Sequence, residues 1–363
     1  MQDKASTTDQ YTCSNCGGKL VYAPGTQHLQ CEQCQSTFPI PESDEEIVEL
    51  DLQAFLSDAL GQADKVVVHT VNCNSCGATT TLDPSVEAAS CVYCATPLVV
   101  TEIHDEEIIR PKSLLPFKID KKEARARFKK WLTGYFWIPN KLKKAVVNTK
   151  HFQGGYLPFW TYDSATSSRY SGQRGEYYYE TQTYTENGQT KTRQVRRTRW
   201  WPVSGHVYAD FDDVLIGGTK SIPSKYLHRL EPWDLEALVP FDPQYLSGYV
   251  AEKYQVSVED GWEQATQVMA EHIRERVRRD IGGDEQRINS VHTQYSKSTF
   301  KHLLLPVYLS AFRYKEKLYQ FFVNARTGEV QGKRPISAVK VAIAVILGII
   351  VIGGIIYLVA TNQ

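Results

Sequence analysis

The 363-residue chain lacks the short motifs that mark the common nucleotide-handling and hydrolytic sites. It contains no G-x-x-x-x-G-K-[ST], so a P-loop is excluded, and no G-x-G-x-x-G, H-E-x-x-H or G-x-S-x-G. Its nine histidines are scattered, and none pairs with another at a metal-ligand spacing. Net charge is also missing: 41 basic residues balance 41 acidic ones. No global field draws the chain to nucleic acid or lipid, so any such contact needs a local patch. The first ten residues are polar and have no apolar centre, which argues against a secretory signal. Ile216-Gly-Gly-Thr-Lys-Ser221 has the flavour of a phosphate loop but lacks the glycine before its lysine, and Asp212-Asp213 reads as a turn. No constellation for catalysis emerges, and the expectation is a protein that is not an enzyme.

Cysteine is scarce too, and all eight copies fall into one pattern. Cys13, Cys16, Cys31 and Cys34 form two C-x-x-C knuckles, and Cys73, Cys76, Cys91 and Cys94 repeat them 60 residues later. Both sets leave 14 residues between the inner cysteines. A C-x-x-C turn offers two thiolates to one ion, and a second knuckle completes a tetrahedral shell. Gly17 and Gly77 follow the first knuckle of each set, where a tight turn past the metal needs a permissive backbone. Disulfide pairs or a redox C-x-x-C are the rival reading, but redox motifs come singly within a βαβ pattern. The spacing predicts two structural Zn2+ ions, one per ribbon, with folding coupled to metal binding. His28 lies close to Cys31, but four thiolates already fill that shell.

The far end differs. Val341 to Ala360 is 20 residues without a charge, about the length of helix that crosses a hydrocarbon core of ~30 Å. Lys333, Arg334 and Lys340 precede it. The positive flank predicts a single-pass, tail-anchored protein of the inner (cytoplasmic) membrane with its N-terminus and soluble domains in the cytoplasm. A reducing cytosol also suits zinc thiolates.

Between these ends, the reading is a zinc ribbon at 11–40, an acidic linker helix at 41–65, a second zinc ribbon at 66–103, an α+β domain at 104–335 and a transmembrane helix at 336–360. The fold class is α+β, with a mixed antiparallel-sheet-plus-helix domain. Asp120 and Glu123 form a capping-box pattern, and Ala124, Phe128, Trp131, Leu132 and Tyr135 fall on one helical face. Lys122, Arg125 and Lys129 line the other face, with Lys141, Lys143 and Lys144 beyond, a basic strip suited to anionic headgroups. Residues 154–222 read as β-structure, with Asn187-Gly188 as a hairpin turn. That turn sets Tyr184 against Lys191, Tyr178 against Arg197 and Glu176 against Arg199. Arginines beside tyrosines suit a single-stranded nucleic-acid platform, but the register favours cross-strand ion pairs and ring contacts within the hairpin itself as their role. Gly261 to Ile281 reads as a helix with Trp262, Ala265, Val268, Met269, Ile273 and Val277 as its apolar stripe, and Phe300 to Phe312 and Lys317 to Val330 as strands.

The two cysteine sets, Tyr135-Phe-Trp-Ile-Pro139, Gly155-Tyr-Leu-Pro-Phe-Trp160, Pro232-Trp-Asp-Leu235, Thr299-Phe-Lys-His302, Val323-Asn-Ala-Arg-Thr-Gly-Glu329 and the apolar end together resemble a bacterial family of membrane-anchored double zinc-ribbon proteins. Its ribbons are of the transcription-factor-IIB type, and its members are often labelled primosomal-helicase-like. The likeness to the helicase covers only the ribbons, and without a P-loop ATP-driven unwinding is excluded. By analogy of architecture, the resemblance implies work beside PspA-like and SPFH-type envelope-stress proteins at the membrane. The expectation is an adaptor with membrane proteins or membrane-associated proteins as partners, no small-molecule substrate, and the lipid bilayer reached through the C-terminal helix. The alternative is a membrane-tethered single-stranded nucleic-acid binder.

Overall fold

A computed structural model describes residues 11–57, 65–81, 89–91, 93, 96–98, 104–139, 152–314 and 317–361. Strands β1 (Leu20–Tyr22), β2 (His28–Cys31) and β3 (Thr37–Pro39) make a small antiparallel sheet of their own. β4 (Leu50–Asp51) and the short α1 (Leu52–Leu56) follow. Next come β5 (Lys65–Asn72), β6 (Thr79–Thr81), the separate pair β7 (Ala89–Ser90) and β8 (Pro97–Leu98), then β9 (His104–Ile109), β10 (Ser113–Leu114) and α2 (Lys121–Thr133). Two long strands, β11 (Phe152–Glu186) and β12 (Gln189–Gly217), precede α3 (Ser224–Leu230), β13 (Val239–Pro240) and β14 (Val250–Glu252). The chain ends with α4 (Val258–Ile281), a third long strand β15 (Glu285–Tyr314), β16 (Lys317–Asn324), β17 (Val330–Gly332) and α5 (Ala338–Thr361).

One large mixed sheet organises these elements. Its path runs β13-β10-β15-β11-β14-β6-β5-β9, with β12 beside β11, β4 and β16 beside β15, and β17 beside β16. Most pairs are antiparallel; β10 with β15 and β11 with β14 are parallel. β5, in the expected second ribbon, pairs with β9, in the expected α+β domain, so one sheet crosses that boundary. The acidic stretch expected as a linker also joins the sheet, because Leu50 and Asp51 pair with Phe300 and Thr299 of β15. Leu52 is buried, and Phe55 packs edge-on against Phe300 at 5.1 Å.

Both faces of the sheet are covered, and alternation along the strands decides which residue goes where. On one face Tyr156, Leu304 and Tyr308 meet Leu20, Tyr22 and Leu29 of the first cysteine module together with Ala124, Phe128 and Leu132 of α2. On the other, Leu157, Leu303, Leu305 and Leu309 meet Cys73, Cys91 and Tyr93 of the second module and Leu227 of α3. Double-sided burial explains why Leu303 to Leu309 reads as a nearly unbroken apolar run.

Away from this body, β11, β12 and β15 continue as a three-stranded ribbon, and β11 alone holds about 115 Å of extended chain. α4 lies along it. Ser257 caps the helix by accepting from Asp260 N, and Ala265, Met269, Ile273, Val277 and Ile281 are buried at a stride of four. Trp160 Nε1 and the Tyr162 hydroxyl donate to the carbonyls of Val256 and Val258 at the start of the helix. Val268, expected in the buried stripe, is 36 % exposed, because it sits one step round from the i+4 line. β15 begins at Glu285, well ahead of Phe300, in a polar stretch where Ile288, Val291 and Tyr295 face inward. Beyond Gly175, where pairing with β15 stops, β11 and β12 form a two-stranded arm.

Candidate metal centres

The Sγ atoms of Cys13, Cys16, Cys31 and Cys34 lie within 4.8 Å of one another. Cys13 and Cys34 are 3.6 Å apart, and Cys16 and Cys31 are 3.4 Å apart. Four thiolates about 2.3 Å from a central ion sit about 3.8 Å from each other, whereas a disulfide holds its sulfurs at about 2.05 Å. The set therefore fits a tetrahedral ion and does not fit two disulfides. Cys13 and Cys31 are buried in the module and Cys16 and Cys34 face solvent, so the site is packed on one side and open on the other.

The backbone builds each knuckle the same way. Cys13 N donates to Gly18 O and Gly17 N to Cys13 O; Cys31 N donates to Ser36 O and Gln35 N to Cys31 O. Gly17 and Gln35 take left-handed φ values of 74° and 61° to make the turn. The second module repeats the scheme: Cys73 N donates to Ala78 O, Gly77 N to Cys73 O at φ 74°, and Cys91 N to Thr96 O. Cys73, Cys76 and Cys91 converge within the same limit, and Cys76 and Cys91 Sγ are 3.5 Å apart. Cys94 lies outside the described residues, as do the lysines at 141, 143 and 144. Two cysteine clusters can thus each hold a metal ion, and they lie against opposite faces of one sheet.

Tyr93, between the knuckle cysteines, was not singled out in the sequence, yet it ties the second module to the body. Its hydroxyl donates to Glu252 Oε2 at 2.5 Å, and Gln320 Nε2 donates to its carbonyl. Glu252 also accepts from Thr219 at 2.9 Å and from the Ser221 hydroxyl. The loop with the flavour of a phosphate cradle therefore wraps a buried carboxylate, whose pKa burial pushes up to about 7 while the three hydroxyls oppose the shift.

The other motifs meet one another within the core. Arg326 grips Asp234 with Nε and Nη2 and donates Nη1 to Pro116 O, joining Pro232–Leu235 to Asn324–Glu329. That pairing holds the Asp234 carboxyl below its ordinary range. Asn324 Nδ2 donates to Leu230 O. His302 is buried beside Trp160, donates Nδ1–H to Ile109 O, and burial lowers its pKa to about 4. Lys301, 7 % exposed, pairs with Glu49 at 2.9 Å and Asp213 at 2.8 Å. Thr299 Oγ1 is 2.6 Å from Glu49 and 3.1 Å from Asp163. These charges hold the acidic segment on the sheet, a role no local pattern announces because its members are far apart in the chain.

The arm follows the register expected from its turn. Asn187 and Gly188 have φ 55° and 76°, and Tyr184 faces Lys191, Tyr178 faces Arg197 and Glu176 faces Arg199. Arg197 pairs with Glu180 and Arg174 with Glu176, while Arg193, Arg196 and Arg199 lie over the rings of Tyr184, Tyr177 and Tyr178. At the other end, α5 carries no buried residue and is long and apolar enough to cross a membrane.

An uncharacterized protein of Bacillus subtilis (strain 168), YdjG, is 28 % identical over 242 residues, which is 64 % of this chain and 66 % of that protein. The match thus spans just under two thirds of the relative's length. No family model matches the chain, and no solved structure matches it.

Proposed function

We propose that this protein is a tail-anchored, cytosol-facing zinc-ribbon adaptor that gathers partner proteins at the membrane, with PspA-like or SPFH-type proteins as the class implied by the motif resemblance. The observation that carries the reading is the all-thiolate cluster at Cys13, Cys16, Cys31 and Cys34, in a body that ends in an exposed apolar helix. Four sulfur ligands leave no open position for substrate, so the ion acts as a fold staple. Cys94 completes the second shell in this reading, and each ion is Zn2+. Anchoring confines the modules to the membrane plane and raises their effective concentration for partners there. Affinity capture of the full-length protein from nuclease-treated membranes, beside a version ending at Lys333, tests the proposal. Specific membrane-associated proteins that are lost with the tail are expected; capture of nothing specific overturns the adaptor.

The second reading, a tethered single-strand binder, is favoured by exposed Tyr179 and Tyr184 on the arm. It is opposed by the arm's own carboxylates and rings, which already engage its cations. Steep loss of oligonucleotide binding with added salt would favour it. As a check on the metal, Cys73→Ser is expected to lower bound zinc from two ions per chain to one, measured by elemental analysis.

A further inference from the structure

α5 does not hang from a loose tether. Only five residues separate it from β17, and most of them are fixed. Arg334 lays its guanidinium 3.8 Å from the centre of the Trp131 ring and 4.9 Å from that of Tyr135. Pro335 is buried, and Ser337 N donates to Trp137 O at 2.7 Å. Lys340, in the first turn of α5, donates Nζ to Phe136 O at 2.7 Å and Ile138 O at 3.0 Å, and sits 5.0 Å from the Phe136 ring centre. The loop that closes α2, Gly134 to Pro139, is thereby clamped beside the base of the apolar helix.

That geometry fixes the depth of the loop relative to α5. The uncharged run from Val341 to Ala360 is just long enough to fill a hydrocarbon core of about 30 Å, which leaves Lys340 at its edge, in the headgroup layer. The Phe136 ring is held at the same level and is 66 % exposed. Ile336 and Val339, just ahead of Lys340 in the chain, are exposed, and Trp137, next to Phe136, is half-exposed. In water these are large apolar groups with little to gain. At a bilayer interface, aromatic rings and a cation at the end of a span are the side chains that belong there. Lys130 and Lys333, both exposed, adjoin the same segment in sequence and suit anionic headgroups.

We propose that the loop Gly134–Pro139 is a membrane foot: Phe136 and Trp137 enter the headgroup layer of the leaflet at the N-terminal end of α5, and Lys340 locks them to the span, so that the body meets the lipid surface in one orientation. This inference rests on α5 crossing the membrane, and the test separates the two. Full-length protein carrying Phe136→p-benzoylphenylalanine is reconstituted in vesicles of phosphatidylethanolamine and phosphatidylglycerol, irradiated, and read by mass spectrometry. Parallel samples carry the same photoreactive residue at Ile349, within the span, and at Tyr208, exposed on the ribbon. Lipid adducts at 136 and 349 and none at 208 are expected. Adducts at 349 but only protein adducts, or none, at 136 overturn the foot and leave the span standing. No lipid adduct at 349 overturns the span and the foot together. Because Phe136 is exposed, the larger ring leaves the fold intact, and retention of bound metal confirms it.

Discussion

The acidic segment is held to the sheet by a proton as well as by charge. Asp163 is pushed up to about 7, first by burial and then by Glu49 beside it, while its hydrogen bond with Asp163 and the nearby Thr299 and Lys301 pull Glu49 down to about 2. One proton therefore stays on Asp163 across the acidic range. That proton is shared toward Glu49, which also accepts from the Thr299 hydroxyl at 2.6 Å. A carboxyl whose folded pKa lies above its ordinary 3.8 stabilises the fold fully below that value and loses the contribution as pH rises through about 7. Glu252, raised by burial, acts in the same sense, and His302, lowered by burial, acts in the opposite one between about 4 and 6.5. The intact protein blends these trends, so a difference between variants isolates one of them. Asp163→Asn mimics the protonated acid. It is expected to melt above the unaltered protein at pH 8 and to converge with it toward pH 5, read by thermal unfolding; parallel curves would remove the shared proton from the account.

At the scale of elements, Tyr93 and the arm lead to opposite expectations. Tyr93→Phe deletes one hydrogen bond to a buried carboxylate, worth about 1.5–3 kcal/mol. Alkylation of Cys73, Cys76 and Cys91 in metal-loaded protein should accelerate by roughly tenfold or more, with the first cluster unchanged, as peptide mass spectrometry would report. The arm beyond Gly175 contributes nothing to the four apolar clusters of the described residues. Replacing residues 176–199 by Asn-Gly, so that Gly175 and Trp200 close the hairpin, should shift the midpoint of unfolding by less than about 4 °C. The sequence showed the arm well, since Asn187-Gly188 fixed both turn and register. It hid the first half of β15, because one face there packs on α4 and the other meets solvent, giving a sparse apolar signal in a polar stretch. Both helix stripes were largely visible from periodicity; Val268 was misplaced because a stride of four and a mixed three-four stride differ by one position.

For the molecule as a whole, the eight cysteines and the apolar end were plain in the sequence because their chemistry is local. The joining of the modules and the acidic segment to the body was not, since it depends on Tyr93 meeting Glu252, Ser247 meeting Leu20 and Glu49 meeting Lys301 across long separations. Leu20, Tyr22 and Leu29 of the first module are part of the same apolar cluster as Tyr156 and Tyr308. Stripping metal should therefore expose at least these three side chains, a loss of about 5 kcal/mol or more. The soluble body is expected to unfold in one transition lowered by on the order of 10 °C, followed by calorimetry with and without chelator. Two separate transitions would show that the first module melts alone.

The burial of both sheet faces also bears on how the repeated cysteine unit has diverged. Leu20 and Thr80 occupy equivalent places 60 residues apart, and both are buried. Leu20 belongs to the apolar cluster that includes Tyr156 and Tyr308, whereas Thr80 sits in a strand joined edge-to-edge with Glu252. Each copy packs into a different apolar cluster. A graft of one into the place of the other would keep its thiolates and lose its seat, so the two halves of the duplication are no longer interchangeable parts.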